Sequence, residues 1–438
     1  MRCLFIFTIL LLIPAIGLAQ TPTVDIKCNG LDSNVVVNPG ANVKIDFTVT
    51  AGSGLGNTVD IWIILETPTD YYSYNGYGPI QGWNKGIYNA YYTGPLADMN
   101  DTALDSPVPD GSYVAYVVID AWADGFFDQN LIYTLDAVDF VTGIEGMAFI
   151  PAGEFEMGDH HGVGAPQELP VHAVYIDAFW MDVFDVTNQK YCDYLNSAYG
   201  QGLIEVISGV VYKFGDTESY SATYSADLGS RIHFSVGVFS VTSGKEDHPM
   251  VTVSWYGAVA YANWRSAELR LPVCYNLETW ECSFGTGGLR LPTEAEWEKA
   301  ARGDEQDPYY MYPWGNSIDG SKANYDSSGD PYEIGPPPWT TPVGYYDGGQ
   351  TPPGMDMANG YGLYDMVGNV YDWCYDWYDS TYYGSSPYDN PHGPASGTNR
   401  VLRKGSCQSN ISSLRCAGRT SHTPEYLNGL HGFRLALD

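Results

Sequence analysis

The sequence predicts an all-β sandwich followed by an α+β, loop-rich domain. Three observations carry that reading: an apolar leader at the start, a β-rich stretch with no helical period after it, and then three well-capped helices in a chain crowded with Gly, Pro, Tyr and Asp. The leader "MRCLFIFTILLLIPAIGLAQ" has one Arg, an apolar run from Leu4 to Ile16, and small residues at Gly17 and Ala19. This is the layout of a secretory signal peptide, expected to span residues 1–19. The run is too short to cross a bilayer, so the expectation is a chain with no membrane span that is secreted, periplasmic or on the cell surface.

From residue 20 to about 142 short runs alternate in polarity between Gly, Pro, Asn and Asp turns. In "NVVVNPGANVKIDFTVTAG" Val43, Ile45, Phe47 and Val49 share one face at period two, the mark of a half-buried strand. "DIWIILE", "GSYVAYVVIDAW" and "TLDAVDFVT" read the same way. About seven such strands without helical period predict an immunoglobulin-like β-sandwich. Asp120, Asp124 and Asp128 around Gly125 could wrap a calcium ion or form a polar turn.

Residues 143–438 read differently. Thr187 caps a helix whose Tyr191, Tyr194, Leu195 and Ala198 share a face, and Ser254 caps a second helix of small residues. In "RLPTEAEWEKAARG" Thr293 and Glu296 form a capping box, Trp297, Ala300 and Ala301 line the apolar face, and Gly303 stops the helix. So much irregular chain after it requires metals, disulfides or aromatic packing to order it.

Charge narrows the partners. Lys and Arg number 20 against 52 Asp and Glu, a formal net charge of −32. Nucleic acid and anionic membrane surfaces are therefore excluded on electrostatic grounds. Of the eight cysteines, Cys3 lies in the leader; Cys28, Cys192, Cys274, Cys282, Cys374, Cys407 and Cys416 remain. In an oxidising compartment most are expected in disulfides, and Cys274 with Cys282, seven residues between them, is the natural local pair. The run "VYDWCYDWYDSTYYGSSPYD" offers Tyr382, Tyr383 and Tyr388 as ligand-binding aromatics, while Trp373 and Trp377 suit the core. His160, His161 and His172 are too loosely placed to predict a metal cluster.

The blocks "GMAFIPAGEFEMGD", "DVTNQKYCDYLN", "HPMVTVSWYGAVAYANW", "RLPTEAEWEKAARG", "YPWGN", "NGYGLYDMVGNVYDWCYDWY", "RVLRKGS", "RCAGR" and "GFRLAL" occur in order. Together they resemble the sulfatase-modifying-factor domain, the family of formylglycine-generating enzymes. The resemblance implies a C-type-lectin-like fold for the second domain. It also implies an enzyme that holds Cu(I) on two cysteines and uses O₂ to oxidise a sulfatase cysteine to formylglycine. In that family the copper ligands follow a "GGS" block, three residues after its Ser and five further on. Counting from Ser406 puts Ser409 and Leu414 at those positions, neither a Cu(I) ligand. Cys407 and Cys416 lie nearby and, with Ser406, are the catalytic candidates; the two cysteines are open to three readings: structural cysteines, a displaced copper or redox pair, or a case in which one stays unpaired. The resemblance further implies calcium at Asp365 and Asp372 with the carbonyls of Gly368 and Val370. A second calcium would sit on Asn324 and the carbonyl of Tyr325, helped by Asp330 or Glu333. Asp365 and Asp372 could instead cap loops. The expectation is thus a calcium-stabilised module that binds a glycan, a peptide or a surface-protein ligand without catalysis. A copper-dependent oxidase and a structural role in a surface assembly are the alternatives.

Overall fold

The computed structural model describes residues 22–28, 35–37, 42–51, 58–66, 71–74, 83–85, 90–95, 98–107, 111–120, 132–142, 144–303, 309–335 and 337–438. The leader, Asp124 and Asp128 lie outside the described residues. The chain divides into two units, Met1–Glu145 and Gly146–Asp438.

In the first unit the alternating residues form two sheets. One is antiparallel and orders Thr23–Cys28, Asn42–Thr50 and Met99–Pro107. The other runs Val35–Val37, Ile132–Thr142, Gly111–Asp120, Thr58–Glu66, Tyr71–Tyr74 and Trp83–Lys85, with Tyr92–Pro95 paired to Thr58–Glu66. Val43, Ile45, Phe47 and Val49 are buried as the period requires, and they share one core with Ile61, Ile63, Val117 and Ile119 of the second sheet. Among the described residues ten strands stand where about seven were expected, because short strands such as Trp83–Lys85 carry no alternation to read.

The second unit is mostly short strands with three α-helices. Helix α1 spans Asn188–Gly200, α2 Trp255–Glu268 and α3 Glu294–Arg302. The local capping chemistry holds: Thr187 Oγ1 accepts from Lys190 N, Ser254 Oγ from Gly257 N, and Thr293 with Glu296 closes both arms of a capping box. Around them lie two four-stranded sheets. One orders Met147–Ile150, Phe179–Asp182, Ala436–Leu437 and Leu289–Arg290, so the last strand sits between two that precede it by long stretches of chain. The other orders Arg419–His422, Arg400–Arg403, Tyr371–Trp377 and His431–Gly432.

Helix α3 departs from the expected amphipathic pattern: all nine of its residues are buried, the charged ones included. A buried carboxylate costs several kcal/mol unless it is paired, so the partners must come from elsewhere in the chain. The neighbouring strands Arg400–Arg403 and Arg419–His422 supply them. Arg403 donates to Glu294 Oε1 at 2.8 Å, to Glu298 Oε2 at 2.7 Å and to the carbonyl of Cys416 at 2.5 Å. Arg419 grips both oxygens of Glu294 at 2.7 Å, and Arg302 holds Glu298 Oε1 from within the helix. Burial opposes ionisation of Glu298, yet Arg302 and Arg403 hold its carboxyl below the usual range. Aromatic packing orders the loops as expected. Trp373 is fully buried and donates to Val253 O, and the Arg400 guanidinium lies between Trp255 and Trp377, 3.8 and 3.5 Å from their ring centres.

Candidate functional site: a polar cavity beside Ser409 and Leu414

A cavity of about 420 Å³ opens where the loop Val163–Glu168 faces the segment Gly405–Thr420. Its wall carries Glu168, Tyr371, Gly405, Arg415, Arg419 and Thr420. Glu168 and Arg415 form a bidentate pair at 2.5 and 2.7 Å, both nearly buried. Gly164 lies close beside that pair, and a Cβ there would push against the Glu168 carboxylate. Arg419 belongs to the wall and to the α3 network at once, so the cavity is anchored directly to the core. None of these charged groups was singled out from the sequence, although both arginines stand in the "RCAGR" block.

Ser409 and Leu414 flank Gly405 of the cavity wall without lining the cavity themselves. Gly405, at φ +76°, lies between them: a Cβ built there would be 2.6 Å from Leu414 Cδ2 and 3.4 Å from Ser409 Cβ. Ser409 Oγ is engaged by Ser406, 3.0 Å from its N and 3.2 Å from its Oγ, and by Tyr371 Oη at 3.1 Å. Leu414 is fully buried against Tyr312, Ala323 and Val367. A hard hydroxyl and an alkyl chain do not fit Cu(I).

The two cysteines are separated by their surroundings. Cys416 is packed in the main core of the unit with its sulfur 3.8 Å from Ala301 O, beside Arg302, Glu298 and Arg403. Cys407 is buried on another side, near Trp339, Asp330 and Glu333. Burial pushes both thiols up to about 12, the opposite of what a reactive thiolate needs. Ser406 is fully buried and bonded to Ser409, with no cysteine to serve. All the cysteines of the described residues are free thiols. The expected Cys274–Cys282 disulfide is not formed in this structure, where the two thiols lie in contact beside a bridge between Tyr275 and Cys282. Contact with Cys282 lowers the pKa of Cys274.

The aromatic candidates lie away from the cavity. Tyr383 is buried; its hydroxyl donates to Glu294 at 3.4 Å and accepts from Arg403 at 3.3 Å, a part of the core network that no ligand reaches. Tyr382 is half-buried against the same core. Tyr388 is exposed, with its hydroxyl donating to Glu154 at 2.6 Å.

The donors expected to hold calcium fall into two cases. Asp372 is completely buried; Lys404 Nζ stands 3.0 Å from Oδ1, while Arg434 Nε at 3.1 Å and Trp297 Nε1 at 2.9 Å contact Oδ2. Burial works against its ionisation, but Lys404 and Arg434 hold the carboxyl low. Asp365 accepts from Gly344 N at 2.7 Å. Gly368 N donates to the carbonyl of Lys404, and the strand Tyr371–Trp377 begins just after Val370. This set does not fit calcium as expected, because Oδ2 of its main carboxylate is taken by Arg434 and the Trp297 indole, and Oδ1, which accepts no hydrogen bond, faces the Lys404 ammonium. At the second position Asn324 Oδ1 is buried with no hydrogen-bond donor among the described residues, while the Tyr325 carbonyl accepts from Ser328 N. Ser328 also donates to Asp330 Oδ2 and Glu333 Oε1. An orphaned oxygen with acids close in sequence does fit an oxygen-seeking ion. Among the described residues no three or more His, Cys, Asp or Glu side chains converge as a metal cage, and no helix is long and apolar enough to cross a membrane.

The family model of the sulfatase-modifying factor enzyme 1-like domain matches residues 138–438. The chain belongs to this family. The formylglycine-generating enzyme of Streptomyces coelicolor is 33% identical over 322 residues, covering 67% of this chain and 89% of that enzyme. The inactive C-alpha-formylglycine-generating enzyme 2 of mouse is 29% identical over 310 residues, covering 66% of this chain and 85% of that protein. The serine/threonine-protein kinase pkn1 of Chlamydia caviae is 36% identical over 292 residues, 66% of this chain; the match spans only 37% of that relative's length. The sulfatase-modifying-factor family thus includes members named for catalysis and one named as inactive.

Proposed function

We propose that this chain is a non-catalytic member of the sulfatase-modifying-factor family that binds an extended peptide in the Glu168–Arg415 cavity. One observation carries the reading: the two positions where the family resemblance puts copper ligands flank Gly405 of the cavity wall, and they are Ser409 and Leu414. The cavity itself is lined by no Cys or Met. Paired arginines, hydroxyls of Ser412, Ser413 and Thr420, and the closely approached backbone of Gly164 and Gly405 suit the alternating donors and acceptors of a peptide better than the flat face of a sugar ring. The first unit we read as an immunoglobulin-like module, and the leader as an export signal, which makes the chain secreted, periplasmic or surface-held. Calcium at Asn324 is the cofactor we retain, on the strength of its orphaned oxygen.

The test is direct. Purified full chain loaded with Cu(I), with O₂, a reductant and a peptide carrying the sulfatase cysteine motif, should form no aldehyde above the no-protein control. Peptide-array capture by the same chain should be lost in Thr420→Trp, which fills the cavity from an exposed position. Aldehyde formation abolished by Cys407→Ser would restore the oxidase reading, and capture untouched by Thr420→Trp would remove the cavity from the binding site.

Export also bears on Cys274 and Cys282. Two thiols already in contact should close on exposure to an oxidant, and so short a loop stabilises by about 2 to 3 kcal/mol on the chain-entropy model. The tryptic peptide Leu271–Arg290 from unreduced exported protein should be two hydrogens lighter than its reduced form. Full alkylation of both thiols without reductant would contradict this.

A further inference from the structure

We propose that Lys404 is a built-in cation occupying the place where the family resemblance puts a divalent ion, so that the Asp365–Asp372 segment is held without metal. The sequence departure is specific: the block that reads "GGS" in the family reads "KGS" here, with Lys404 at the first glycine. The backbone keeps the glycine conformation, φ +70°, in the left-handed region that side chains with a Cβ rarely adopt. Lysine at such a position needs a compensating role, and its ammonium has one. The side chain is fully buried, with Nζ 2.6 Å from Asp185 Oδ1 and 3.0 Å from Asp372 Oδ1.

The remaining contacts complete the replacement. Arg434 bridges the same two acids from the other side, at 2.7 Å to Asp185 Oδ1 and 3.1 Å to Asp372 Oδ2. The Lys404 carbonyl accepts from Gly368 N at 3.1 Å, tying the lysine's own backbone to the 365–372 turn. A calcium ion binds by drawing six to eight oxygens around itself. Here the cation arrives on the chain, and an ammonium within hydrogen-bonding reach of Asp372 repels a second positive charge from that carboxylate. The work of a dissociable ion, pinning an acidic turn to the core, passes to a covalently attached one.

Calcium alone is the probe, with ion content per chain measured after equilibrium dialysis and thermal unfolding recorded with calcium and with chelator. Lys404→Gly, which suits the backbone angle, should hold one calcium more per chain than wild type, and its melting temperature should rise with calcium by more than that of wild type. Asp365→Asn in the wild-type background should leave the calcium content unchanged, whatever binds at Asn324. An equal calcium content in Lys404→Gly and wild type would overturn the proposal, as would loss of one ion on Asp365→Asn. The second variant keeps the acceptor for Gly344 N and so decides the matter even if Lys404→Gly fails to fold.

Discussion

Replacing Arg403 by Met should destabilise the second unit by about 3 to 5 kcal/mol, the cost of leaving buried charges without their partner. Arg403 is completely buried and reaches Glu294, Glu298 and the Cys416 carbonyl, tying helix α3 to the Arg400–Arg403 strand and to the loop behind the cavity. Arg419 and Arg302 remain to serve one carboxylate each, but neither can span both. Each carboxylate keeps one arginine, so the loss is that of the shared bridge and its hydrogen bonds; adding Glu294→Gln and Glu298→Gln to Arg403→Met should deepen it, because Arg419 and Arg302 would then be buried without a carboxylate. Urea unfolding followed by tryptophan fluorescence measures both. A change below about 1 kcal/mol in the single variant would show that Arg419 and Arg302 suffice, in contradiction to this account.

Trp297→Ala should cost about 3 to 5 kcal/mol through the cavity it leaves. Its ring is fully buried in the main core, 5.2 Å from the Arg403 guanidinium, and its Nε1 donates to Asp372. The indole has two separable roles. Trp297→Phe keeps most of the volume and removes only the donor, so it should cost about 1 to 3 kcal/mol, the penalty for a buried acceptor losing a partner. Equal losses in the two variants would mean that packing contributes little and the hydrogen bond nearly everything.

What could be read from the residues was what local physics decides. The alternation at Val43, Ile45, Phe47 and Val49 marked a strand with one buried face, and the capping box at Thr293 and Glu296 marked the start of α3. Both need only a few neighbouring residues. The charged side of α3 could not be read in the same way. Glu298 looks like a solvent-facing residue until Arg403, 105 positions away, is brought against it by strand pairing. The candidate site divides along the same line. That Ser409 and Leu414 stand where the family resemblance puts copper ligands follows from counting along one short block, whereas the Glu168–Arg415 pair joins residues 247 apart and had no local signature. Tyr383 was misjudged because an aromatic in a polar loop looks exposed, and only the fold turns it toward Glu294.

The strand Ala436–Leu437 hydrogen-bonds to Phe179–Asp182 on one side and Leu289–Arg290 on the other, and Asp438 reaches back to Arg290. Both pairings join residues far apart in sequence, so the entropy of closing long loops must be overcome before this sheet can form, and non-local pairing of that kind is slow.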